Sequence, residues 1–178
     1  MGNNFTYSNR DHKFILKEWL DTEKILNFEA FKEIYSLEDV DMILDQGIKV
    51  AKEVVAPTNE DGDRIGVKLV NGQAVVPESF HKLYKFMQDN GYGNTQFDPE
   101  EEGKLPTLLH IALEEYFNAA NPAFHSYIGL SGGSSNLINS FGREEDREKF
   151  LPHMYSGRWA GTMCLTEPCC GSDVGDIT

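Results

Sequence analysis

From Ser36 onward, apolar residues recur at helical spacing as Val40, Ile43, Leu44, Ala51, Val54 and Val55, a run that ends in Pro57. Ser36 with Asp39 three residues later has the form of a capping box, so the pattern predicts an amphipathic helix that begins at Ser36 and stops at Pro57. Gly47 inside it suggests close packing against a neighbour or a tolerated surface glycine. Before this helix, residues 11–35 carry Phe14, Trp19, Leu20, Ile25 and Phe31 without a steady period, which predicts short helical turns in an amino-terminal arm.

Two short β-prone runs, Val67 to Val70 and Gln73 to Val76, flank Asn71-Gly72 and predict a small exposed hairpin. Pro77 then opens a second helix with Phe80, Leu83, Tyr84 and Met87 on one face, and Asn90-Gly91 closes it; His81 and Lys82 are expected on the solvated side. The acidic run from Asp98 to Glu102 reads as a solvated loop in preference to a calcium site. Pro106 opens a third helix through Leu109, Leu113, Tyr116 and Phe117, apolar over much of its circumference and therefore expected at the centre, with Asn121-Pro122 as its end. A fourth helical region, from Ala123 to Phe141, contains the small residues Gly129, Ser131, Gly132, Gly133, Ser134 and Ser135, which permit close approach of a ligand or of another helix. A charged short helix follows, then a break at Leu151-Pro152. The apolar run from Trp159 to Leu165 is too short for a helix and predicts a strand, with a domain boundary near Gly157.

Charge narrows the functions available. With 16 Lys plus Arg against 29 Asp plus Glu, the net charge of −13 opposes nucleic acid and anionic membranes. No stretch of the sequence is long and apolar enough to span a membrane, and residues 1–14 lack the form of a secretory signal, so a cytoplasmic location is expected. The cysteines, Cys164, Cys169 and Cys170, lack the paired spacing of a zinc site and read as free thiols. His110 and His125 sit in apolar surroundings and read as hydrogen-bonded core residues.

The segment FGREEDREKFLPHMYSGRWAGTMCLTEPCCGSDVG, Phe141 to Gly175, resembles the acyl-CoA dehydrogenase family in its charged helix, its Ser-Gly-x-Trp and its Thr-Glu-Pro-x-x-Gly-Ser-Asp. The front arm and the Asn71-Gly72 hairpin resemble the branch that includes 3-methylmercaptopropionyl-CoA dehydrogenase. The resemblance implies a mainly α fold: an arm (1–35), a helical amino-terminal domain (36–157) and the first strand and flavin-binding turn of an incomplete β-domain (158–178). It further implies FAD as cofactor, with Met163 and Leu165 against the flavin ring, Cys164 between them also among the cofactor-binding residues, Thr166 bonded to the ring's polar edge, and Gly171 with Ser172 at the pyrophosphate and the CoA portion. Tyr127, Gly129 and Leu130, together with Ser172, would contact the acyl-CoA substrate; Glu167 and Asp173 read as cap and turn residues. Cys169-Cys170 depart from the small residues usual before the Gly-Ser pair, and Met163 stands where an aromatic is frequent. The implied reaction is α,β-dehydrogenation of an acyl-CoA thioester, with an electron-transfer flavoprotein as acceptor and a homo-oligomer as assembly. The catalytic glutamate is expected beyond Thr178, so no residue here is assigned as base and the chain is expected to be an inactive fragment. The alternatives are an acyl-CoA oxidase and a non-catalytic binding protein on the same fold.

Overall fold

The computed structural model describes residues 5–94, 98, 104–168, 170–173 and 175, and it is mainly helical with one two-stranded ribbon. The arm contributes α1 (Arg10–Phe14), a π-helical turn (Ile15–Trp19) and α2 (Thr22–Leu26). The bundle follows as α3 (Leu37–Val50), α4 (Asn59–Arg64), α5 (Glu78–Asp89), α6 (Thr107–Ala120), α7 (Pro122–Phe141) and α8 (Glu144–Tyr155). The acidic run falls almost wholly outside the described residues.

Helix α3 starts as its sequence predicts. The Ser36 hydroxyl accepts from the Asp39 amide, and the Asp39 carboxylate takes the Ser36 amide at 2.8 Å, so two orphan donors of the first turn are satisfied. Its Val40 and Leu44 are fully buried against α6, whose Leu109, Ala112, Leu113, Tyr116, Phe117 and Ala120 form the middle of the core. Each of the larger ones, Val40, Leu44, Leu109, Leu113 and Phe117, contributes roughly 1.5–3 kcal/mol by leaving water. Gly47 is the point of closest approach, since a Cβ there would overlap Leu113 Cδ2 and touch the Tyr116 ring at 3.4 Å.

Pro57 does not end the helical path. After α3 the chain widens into a π turn (Ala51–Val55), tightens into a 3₁₀ turn (Ala56–Thr58) and runs on through α4 to Arg64. Pro57 lies in the first turn of the 3₁₀ segment, where its missing N–H needs no partner. The Asn121 side-chain Nδ2 donates to the Thr58 hydroxyl at 2.8 Å, while its Oδ1 accepts from the Phe124 backbone N–H at 3.0 Å. Asn121 thus ends α6, caps α7 and holds the 3₁₀ turn, with no intervening loop.

The hairpin pairs β1 (Lys68–Val70) with β2 (Gln73–Val75) antiparallel, Leu69 opposite Ala74. Asn71 and Gly72 both have positive φ, 51° and 77°, the requirement of a type I′ turn. Pro152 also fails to interrupt its helix. Helix α8 carries it and continues to Tyr155, because burial of Leu151, Met154 and Tyr155 holds the last turn, and Gly157 N–H closes it on the Met154 carbonyl at 3.0 Å. The expected strand from Trp159 to Leu165 has no ladder partner among the described residues and is irregular, since an extended segment becomes a strand only when a neighbour pairs with it.

The arm is fastened by ion pairs at its surface and by apolar and aromatic burial beneath them, Tyr7 and His12 both meeting the Tyr116 ring edge-on. Tyr7 O–H donates to Glu115, His12 Nε2 lies 3.1 Å from the same carboxylate, Lys13 lies 2.9 Å from Asp45, and Lys17 lies 2.6 Å from Asp41. Leu16 and Leu26 add buried apolar contact.

Two predictions follow from this packing. Gly47→Ala overpacks the contact between α3 and α6 and should destabilise by about 1–3 kcal/mol. Gly129→Ala, at a helical position with open space around it, should stabilise by about 0.5–1 kcal/mol; urea unfolding of both variants compares the signs. The Lys17 ammonium holds the Asp41 carboxyl below its ordinary range, the Lys13 ammonium does the same for Asp45, and the Tyr7 hydroxyl lowers Glu115. The attachment is therefore complete above the unfolded-state values, ~3.9 for Asp and ~4.3 for Glu, and is lost as pH falls through the lower folded-state values. Amide exchange in α1 should accelerate on acidification below about pH 4, relative to its intrinsic rate, before exchange in α6 does.

Candidate functional site

The chain leaves the bundle at a fixed point. Gly157 adopts φ +72°, and a Cβ there would lie 2.6 Å from the Gln88 amide carbon, so the turn fits only glycine. Tyr84 O–H donates to the Gly157 carbonyl at 3.0 Å. Burial pushes the Tyr84 hydroxyl above its ordinary range, with the neighbouring Gln88 and Asn94 side chains acting against that shift. Asn94 donates its side-chain amide to the Met154 carbonyl at 3.1 Å, and its backbone N–H bonds Gln88 Oε1 at 3.1 Å. Helix α5 and the segment after it thereby clamp the end of α8.

Beyond Gly157 the chain crosses α7. Trp159 N–H donates to the His153 carbonyl at 3.0 Å, and the indole packs 4.3 Å from the His153 ring. Gly161 N–H donates to Ser131 Oγ at 3.1 Å, and a Cβ on Gly161 would overlap the Ser134 side chain. The small-residue stretch of α7 therefore has two faces. Ser131, Gly132 and Ser135 are buried, Ser134 receives the crossing chain, and Gly129 and Gly133 have no non-local heavy atom within 4 Å of their Cβ positions.

Past Gly161 the predicted cofactor residues are exposed. Met163 is 69% accessible, Leu165 46%, and Cys164 and Thr166 are also open to solvent. A tight turn doubles the chain back: Glu167 N–H donates to the Cys170 carbonyl at 2.8 Å and Cys170 N–H to the Glu167 carbonyl at 3.3 Å. Glu167 thus builds the turn through its backbone. The turn brings Gly171 beside Thr166, whose Cγ2 lies 3.6 Å from the Gly171 Cβ position. The Thr166 hydroxyl makes no hydrogen bond among the described residues, and Ser172 and Asp173 are exposed. Cys169 lies outside the described residues.

The structure separates the predicted substrate residues. Tyr127 lines a cavity of about 220 Å³ with Val76, Phe80, Tyr84, Phe124 and Ala160. Gly129 faces open space, and Leu130 lies where the chain crosses, its carbonyl accepting from Ser134 Oγ at 3.0 Å. His125 Nε2 lies 2.7 Å from Glu114, as expected of a bonded core histidine, and burial lowers His110 below its ordinary value. Among the described residues no cluster of His, Cys, Asp and Glu has the geometry to hold a metal. Gln88 and Asn94 carry no signal in the sequence, because their importance comes from a long-range clamp and not from a motif.

A helical bundle whose last helix hands the chain to an exposed Thr-Glu-Pro turn is in keeping with the family resemblance of that motif. Residues 38–158 match the family described as acyl-CoA dehydrogenase, N-terminal domain, and the chain belongs to that family. It is 39% identical over 179 residues to a butyryl-CoA dehydrogenase of Syntrophomonas wolfei, covering 99% of this chain and 29% of that protein. A second butyryl-CoA dehydrogenase of the same organism is 40% identical, with 98% and 29% covered. The 3-methylmercaptopropionyl-CoA dehydrogenase of Ruegeria pomeroyi is 29% identical, with 94% and 29% covered, in keeping with the branch suggested by the arm and hairpin. The chain thus spans about 29% of the length of these relatives.

The clamp makes a measurable prediction. Tyr84→Phe should destabilise by about 0.5–1.5 kcal/mol through loss of one hydrogen bond. Gly157→Ala, which adds both strain and overlap, should destabilise by more, and thermal melting would rank the two.

Proposed function

We propose that this chain forms the helical amino-terminal part of an FAD-dependent acyl-CoA dehydrogenase, with a boundary near Gly157 and a β-domain beginning at residue 158. The observation that carries the proposal is the turn closed by Glu167 and Cys170, which sets an unbonded Thr166 hydroxyl beside Gly171 on an exposed surface. This surface fits a flavin: Met163, Cys164 and Leu165 offer apolar and backbone contact to a ring, Thr166 a hydrogen-bond donor, and Gly171 with Ser172 small residues for a pyrophosphate. When bound, FAD supplies two-electron acceptance, and the protein's task is to bind and orient.

Tyr127, Gly129, Leu130 and Ser172 are proposed to contact the acyl-CoA, and the open space at Gly129 is consistent with an acyl chain running beside α7. The names of the relatives favour a short acyl group such as butyryl. No carboxylate of the chain is assigned as the base; Glu114, near the acyl-facing helix, is committed to His125. An electron-transfer flavoprotein as acceptor, a homo-oligomer and a cytoplasmic location complete the proposal. Among the described residues no helix is long and apolar enough to cross a membrane.

The test uses the longest natural polypeptide that contains this segment. It should purify yellow or become so with FAD, and its visible absorbance should bleach on addition of butyryl-CoA. Thr166→Val should weaken FAD by up to about 10-fold, the equivalent of one hydrogen bond, while leaving the melting of the apoprotein unchanged. A polypeptide that neither takes up FAD nor loses colour with any acyl thioester overturns the reading.

A further inference from the structure

Of the residues assigned above to substrate or flavin, Tyr127 alone lines the cavity between α5 and α7; Gly129, Leu130, Met163, Cys164, Leu165 and Thr166 do not, so the rest of its lining is left without a role by the acyl-thioester reading. We propose that the cavity is a binding site for a small apolar carboxylate about the size of benzoate, held with its ring among Phe80, Phe124 and Tyr127 and its carboxylate at Arg158.

The walls are aromatic and mutually braced. Phe80 meets Phe124 edge-on at 5.6 Å and Tyr127 edge-on at 6.3 Å. Behind Phe80, a Cβ at Gly62 would lie 2.8 Å from Cζ, so the backbone of α4 presses directly on the ring and fixes its position. Val76 and Ala160 supply further apolar lining, and the volume of about 220 Å³ is on the scale of a cavity that takes one aromatic ring, ~150 Å³ in a known dry case. A fully apolar ligand would leave the polar lining unused.

Arg158 and His81 are the exposed lining residues that can carry positive charge, and among the described residues neither side chain makes an ion pair or a hydrogen bond. Among the described residues no carboxylate lines the cavity, although acids outnumber Lys and Arg by 29 to 16 over the chain. An apolar slot with an uncommitted guanidinium at its mouth is complementary to an amphiphilic anion, because the guanidinium can grip a carboxylate through two parallel N–H groups while the ring leaves water. Tyr84 is already committed as a donor to the Gly157 carbonyl and does not compete for the anion. The site goes beyond the acyl-thioester reading and needs no flavin.

Titration of the flavin-free 178-residue chain with benzoate and with benzamide, followed by amide NMR, tests it. Benzoate should bind saturably with shifts at Tyr127, Arg158 and Ala160, and benzamide should bind at least fivefold more weakly. Arg158→Gln should bring benzoate down to the benzamide level, Arg158→Lys should recover part of the difference, and Val76→Phe should abolish both by filling the slot. Because the Val76 change risks misfolding, the exposed Arg158 decides the matter with melting curves matched to the parent. Absence of saturable benzoate binding, equal affinity for benzoate and benzamide, or indifference to Arg158→Gln overturns the proposal. Whether FAD binds does not enter any of these outcomes.

Discussion

The clamp on Gly157 is the constraint from which the site derives. A bundle buries apolar faces without dictating where its chain should leave, and here the exit is fixed by a left-handed glycine lodged against Gln88 and tied by Tyr84. Asn94 takes the Met154 carbonyl one turn earlier, so the end of α8 is held from one side by polar groups that are themselves largely buried. Polar groups in such a place are costly when unpaired and directional when paired, which is why they set orientation better than apolar contact does.

From that fixed exit, the serines of α7 determine the next step. Gly161 passes close enough to use Ser131 as its acceptor, and the Ser134 side chain leaves no room for a Cβ on Gly161. The exposed turn beyond it is therefore connected to the bundle through the Gly161 N–H bond to Ser131, the Trp159 N–H bond to the His153 carbonyl and the tilted contact of the Trp159 and His153 rings. The same helix thus packs inward through Phe124 and Ile128, receives the chain through Ser131 and Ser134, and keeps Gly129 and Gly133 open.

Much of this was legible in the sequence, for local reasons. The Ser36 and Asp39 box, the Asn71-Gly72 turn and the apolar face of α5 depend on residues near one another in the chain, and each forms as its pattern predicts. The prolines were less legible. Pro57 and Pro152 read as stops because a missing N–H normally breaks a ladder, yet one falls in a first turn and the other in a last turn held by burial. The strand beginning at Trp159 was not decidable locally, since pairing is a property of two segments. The Thr-Glu-Pro motif pointed to the exposed turn, but Gln88, Asn94 and the aromatic cavity arise from tertiary neighbours that no spacing encodes.

The ribbon of β1 and β2 carries a separate implication. All six of its strand residues are exposed, so it contributes little to the interior and takes its order from the turn at Asn71-Gly72 and from its anchored ends. A ribbon wet on both faces is free to change length or side chains without disturbing the helices beneath, and it offers evolution a place to vary this protein's outline while its interior stays the same.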